Sequence, residues 1–161
     1  MLSGQQIRAI ALLSDEVLYP EAIDFMRQLL EEEDCKPLSS SQINDLHSIS
    51  LAHNYQALRD FITHQAERNW PASKRNIEIF YQNLKKYMDN MQKKRLKTEF
   101  HLLDDQGGIQ AMRAQTEELM AQLMAEFIQH LVAENSRQEA RRKQQEEQAN
   151  KNLARGERSW Q

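Results

Sequence analysis

The stretch Leu38-Ser39-Ser40-Ser41-Gln42-Ile43 repeats the opening residues Leu2-Ser3-Gly4-Gln5-Gln6-Ile7 with two changes, and the register holds for a further twenty residues. Ser14 answers Ser50, Tyr19 answers Tyr55, and Asp24-Phe25 answers Asp60-Phe61. Aliphatic residues match at Ile10/Leu46, Leu13/Ile49 and Met26/Ile62. An offset of 36 residues is the length of one helix–turn–helix unit, so the first 65 residues read as two tandem helical hairpins. Each copy carries its own start signal. Ser3 and Ser39 precede Gln6 and Gln42 by three residues, a capping box that gives otherwise unpaired backbone N–H groups a hydroxyl and an amide.

The composition agrees. Four Gly and three Pro in 161 residues, among abundant Leu, Gln, Glu, Lys and Ala, predict an all-α protein, and 40% apolar residues suffice for one modest core. The expected architecture is a helical bundle of about five short helices with a long C-terminal helix. A first helix from Gly4 to Val17 should stop at Leu18-Tyr19-Pro20, because proline pushes the preceding residue out of the helical region. A second follows to the acidic run Glu31–Asp34, a third covers about Ser40 to Ala52, and a fourth Tyr55 to about Arg68. Ser73 should cap a fifth helix carrying Ile77, Phe80, Leu84, Tyr87, Met88 and Met91 at three-four spacing. This gives a bundle over 1–103, a breaker at 104–108 (Asp-Asp-Gln-Gly-Gly), an amphipathic helix over 109–132, and a polar helical extension or disordered tail over 133–161.

In the amphipathic helix Ile109, Met112, Leu119, Met120, Leu123, Met124, Phe127 and Leu131 fall within roughly 140° of arc. That stripe should either close the bundle or pair with another chain, including a second copy of this one. Met112, Leu119, Met120, Leu123, Met124, Phe127 and Leu131 are therefore candidate partner-binding residues, and the flexible methionines suit helix-in-groove contacts.

No catalytic or metal chemistry is legible. The five histidines stand in no metal-binding spacing; Glu126 and His130 lie one turn apart but lack a third ligand. The single cysteine, Cys35, sits beside acidic residues that oppose thiolate formation. No phosphate loop is present. The chain reads as a non-enzyme without cofactor or metal. The absence of a charged, apolar leader and of any long apolar run predicts a cytoplasmic protein that does not enter membranes.

Charge is more informative. The net charge is −3, yet residues 64–98 carry nine Lys/Arg against three Asp/Glu, while residues 1–63 carry four against ten. Positive charge concentrated in one segment of an acidic protein points to a polyanion-binding face. Projected as an α-helix, Arg75, Lys86, Lys93 and Lys97 share a sector about 40° wide, with Lys74 and Lys85 at its edge. Such a ladder would follow a phosphate backbone without reading sequence. Asn83 and Asn90 could add neutral donors, and Tyr81 or Trp70 could stack on a base. Arg113, Arg137 and Arg141 lie outside this segment among acidic neighbours and are expected to contribute little.

Leu38, Ser39, Gln42 and Ile43, then Phe61, Gln65 and Arg68, followed by Ile79-Phe80-Tyr81 and a run of aromatic and basic residues, resemble the small helical subunit of type III CRISPR effector complexes. The resemblance covers residues 38–97. It departs from that family's pattern at Asn44 and His64, where the family has Arg and Tyr, and in the acidic overall charge. It implies an RNA-contacting, non-catalytic subunit of a multi-subunit ribonucleoprotein in antiviral defence, and it adds Arg68 to the candidate RNA-binding residues. The alternative from the residues is a helical adaptor that binds another protein through its C-terminal amphipathic helix.

Overall fold

The computed structural model describes residues 1–159. Its fold is an all-α bundle around a long C-terminal helix, and no strand occurs among the described residues. The helices are α1 (Gly4–Leu13), α2 (Tyr19–Arg27), α3 (Ser40–Leu51), α4 (Tyr55–Glu67), α5 (Arg75–Asn90) and α6 (Ile109–Ser159). Three π-helical segments extend them: Ser14–Leu18, Gln28–Glu32 and Met91–Glu99.

Both capping boxes form. Ser3 and Ser39 accept from the backbone N–H of Gln6 and Gln42, whose side chains accept from the two serine N–H groups. The repeat also persists in burial, since Ile10/Leu46, Ser14/Ser50, Ala22/Leu58 and Met26/Ile62 are all buried. The turns differ. In the second copy the chain breaks at Ala52–Asn54, with His53 at φ 51°, and Asn54 caps α4. In the first copy there is no hairpin, because Leu18 and Tyr19 stay helical and α1 runs into α2 through Pro20. The intervening π turn explains this. Tyr19 N–H donates to the Ser14 carbonyl five residues back, so the turn ahead of Pro20 is widened. Widening relieves the clash between the ring and the carbonyl four residues earlier.

The core is continuous from Ile10 to Leu131. An aromatic chain ties four helices together: Phe61 (α4) meets Tyr81, Tyr81 meets Phe80, Phe80 meets Phe25 (α2), and Phe25 meets Phe127 (α6), all edge-on at 5.3–6.0 Å. Tyr87 stacks on Phe127 at 3.8 Å between centroids. Each such pair contributes about 0.5–1.5 kcal/mol beyond the area it buries.

α6 runs through the middle of this core. Leu119, Met120, Leu123, Met124, Phe127 and Leu131 are completely enclosed by the chain's own helices, and Ala121, Ala125 and Ile128 widen the buried face. The expectation that this stripe serves as a partner-binding or self-association surface is corrected here: those side chains fill the bundle's interior. Met112 alone of the set is half-buried, in an open depression of about 730 Å³ beside Tyr55, Gln92 and Arg113.

The buried stretch of α6 also extends past Val132. Asn135 is 1% exposed. Its Oδ1 accepts from Leu38 N–H at 2.9 Å and its Nδ2 donates to the Leu38 carbonyl at 3.0 Å. Beyond Arg142 the helix stands in solvent, with Lys143 through Arg158 all exposed. No described helix is long and apolar enough to cross a membrane.

Candidate nucleic-acid interface

α5 and the π segment after it form one helical rod from Arg75 to Glu99. Its inner side is set by apolar spacing: Ile77, Phe80, Tyr81, Leu84 and Met88 on α5, then Met91 and Leu96 on the π segment, are all buried. In a π turn each N–H reaches the fifth carbonyl back, as Phe100 does to Arg95 at 2.8 Å. More residues therefore fit each revolution, and the step between side chains is smaller than in an α-helix. Burial at Met91 and then Arg95–Leu96 follows that longer period, which leaves Lys93, Lys94 and Lys97 on the outside. A projection that treats the whole rod as α-helix misplaces these positions. It omits Lys94, which joins Lys93 and Lys97 on the exposed side.

The seven candidate cations fall into two groups. Lys74, Lys86, Lys93 and Lys97 are exposed, and none has a carboxylate within 4.0 Å among the described residues. The other three are engaged. Arg75 reaches back to the loop before α3, 3.6 Å from the Glu33 carboxylate and 3.1 Å from the Glu33 carbonyl. Lys85 pairs with Asp89 one turn later at 3.3 Å. The Arg68 guanidinium lies over the Trp70 ring at 4.4 Å, and Trp70 Nε1 donates to the Gln65 carbonyl at 2.8 Å.

Of the two aromatics considered for base stacking, Tyr81 is enclosed and Trp70 is half-buried. Tyr81 is buried, which raises its phenol pKa, with the nearby Asp45 charge adding to the effect. Trp70 already has Arg68 on one face. Asn83 is half-buried and Asn90 exposed beside the lysines.

Arg95 is the one cation of the segment spent on the interior. It is 8% exposed and forms a two-pronged pair with Glu21 at 2.7 and 2.8 Å, while its Nε donates to Glu99 at 2.8 Å. Tyr87 donates to the same Glu21 carboxylate at 2.7 Å, and the guanidinium covers the Phe100 ring at 4.7 Å. Burial opposes the Arg95 charge, but the hydrogen bonds to Glu21 and Glu99 outweigh it, so its pKa is raised. The Glu99 carboxyl is correspondingly lowered by the bond from Arg95. This cluster fastens the π segment to α2 and fixes which side the lysines present. Sequence reading missed it because Glu21 and Arg95 are far apart in the chain, and only the fold brings them together.

A second polar cluster joins the first π turn to α6. Ser14 Oγ lies 2.8 Å from both Glu126 Oε2 and His130 Nε2, and Tyr19 meets the His130 ring edge-on at 5.2 Å. The hydroxyl sits between carboxylate and imidazole, whereas a hydrolase relay needs the imidazole in the middle. Ser14 is moreover buried. The arrangement pins two helices together. No group of three or more His, Cys, Asp or Glu side chains that could hold a metal ion occurs among the described residues. Cys35 is buried, and burial raises its thiol pKa against the opposing effect of Arg75.

Comparison with protein-family models, curated proteins and solved structures yields no match to this chain.

Proposed function

We propose that this chain is a non-catalytic, RNA-contacting small subunit of a multi-subunit ribonucleoprotein, and that it holds RNA by its phosphates. The observation that carries the reading is the outer side of the Arg75–Glu99 rod. Lys86, Lys93, Lys94 and Lys97 project there with no carboxylate partner among the described residues, in a protein whose net charge is −3. Mobile ammonium groups along a rigid rod suit a phosphate backbone, whose binding is electrostatic and sequence-independent. The resemblance of residues 38–97 to the small subunit of type III CRISPR effector complexes points the same way and supplies the setting of antiviral defence. The competing adaptor reading relied on the apolar stripe of α6, and those side chains are enclosed.

The test is RNA binding by the variant K86Q/K93Q/K94Q/K97Q, measured as a function of salt. Each lost phosphate contact removes roughly 0.7 from the slope of log K against log salt, so the slope should fall by about three. Helix content should persist, because Gln is close to Lys in helix propensity. Wild-type affinity with an unchanged slope would refute the reading.

A further inference from the structure

From Arg141, which shares a depression at the end of the bundle with Glu31 and Asp34, α6 continues into solvent, and its side chains there are largely sorted by charge. At about 100° per residue, Arg141, Gln144, Gln148, Lys151, Arg155 and Arg158 fall in one sector about 100° wide, at a strict three-four spacing. Glu139, Glu146 and Glu157 fall together on the opposite side, where Arg142 and Lys143 pair with Glu139, and Arg142 also with Glu146. Glu147 stands at the edge of the cationic sector. Arg141, Lys151, Arg155 and Arg158 have no carboxylate within 4.0 Å among the described residues. Ordinary solvated helices intersperse charges of opposite sign within one face. Here three of the four acids from Glu139 to Glu157 are on one side, and the cations with no carboxylate partner among the described residues are on the other, with Glu147 at their edge.

We propose that this stripe is a second polyanion site, separate from the α5 lysines, whose occupant is a nucleic-acid phosphate backbone. From Arg141 to Arg158 the helix rises about 26 Å, long enough to follow several successive phosphates. Gln144 and Gln148 stand between the cations and supply amide donors for phosphate or sugar oxygens. An anionic membrane is the poorer match, because a helix lying in a bilayer surface needs an apolar face. The only exposed large apolar side chain described on this extension is Leu153. The stripe stands on its own observation, so it holds or fails independently of the α5 reading.

The experiment measures binding of a fluorescein-labelled 30-nucleotide RNA of mixed sequence to the full chain across a salt series. R141Q/K151Q/R155Q/R158Q should lower the slope of log K against log salt by about three, with the α5 lysines intact. R141K/K151R/R155K/R158K, which keeps the charge, should restore it. R142Q/K143Q, on the opposite side, should leave the slope unchanged. Circular dichroism should show the same helix content in all three. An unchanged slope in the first variant overturns the proposal. So does a loss seen only in binding to phosphatidylserine vesicles, or only in self-association by size-exclusion chromatography.

Discussion

The amide of Asn135 meets both backbone groups of Leu38, the residue just before the second capping box. No apolar side chain could do this, and Leu38 is itself buried, so its N–H and carbonyl have no route to water. Asn135→Leu preserves approximate size but leaves both groups unpaired, at a cost of about 1–3 kcal/mol each. The expected result is a fall in thermal midpoint of roughly 4–24 °C, on the scale of about 2–4 °C per kcal/mol for a chain of this size. Asn135→Asp keeps the acceptor but sets a carboxylate oxygen against the Leu38 carbonyl in a buried site, so it should destabilise as well. A melting temperature unchanged in Asn135→Leu would contradict the clamp. This residue was not legible in the sequence. It lies in a run where alanine is the only apolar type, and period-based reading assigns such a run to solvent. The aromatic and aliphatic positions of α5 and α6 were legible, because their spacing alone dictates a buried face.

At the scale of elements, the sequence placed the capping boxes, the break before α4 and the start of α6 where the structure has them. It failed where helical geometry departs from the α form. The rule for the residue before proline predicts a stop at Leu18-Tyr19-Pro20 because it assumes an α turn; the π turn Ser14–Leu18 removes the conflict, and one long helix results. The π segment Met91–Glu99 likewise shifts the outward lysines and brings Lys94 among them. The reading of residues from 133 onward as having nothing to bury fails in its first turns, since Glu134 and Asn135 are buried. Two truncations separate these parts. Removing residues 143–161 should leave the melting temperature nearly unchanged, because the described residues beyond Arg142 are exposed. Removing residues 133–161 should lower it at least as far as Asn135→Leu does, because the clamp leaves with it. Equal melting temperatures for the two truncations would mean that the Asn135 contact adds nothing.

For the molecule as a whole, one division of labour stands out. α6 supplies the interior around which the other helices pack, and the rod Arg75–Glu99 rests on that interior by one side. The Glu21–Arg95–Glu99 cluster then locks the rod's rotation. Arg95 is the buried partner, so removing Glu21 would leave its charge without its main partner. That lock makes the lysine side a fixed feature and not an accident of a mobile helix. The acidic first 63 residues and the basic 64–98 segment are thus joined through two pairs among the described residues, Arg95 with Glu21 and Arg75 with Glu33. Lysine footprinting by reductive methylation, with and without bound RNA and read by mass spectrometry, tests the RNA-holding claim directly. RNA should slow modification of Lys86, Lys93, Lys94 and Lys97, while Lys143, exposed and on the acidic side of α6, should react at the same rate. Equal reactivity of the four α5-rod lysines in both states, with RNA demonstrably bound, would contradict it.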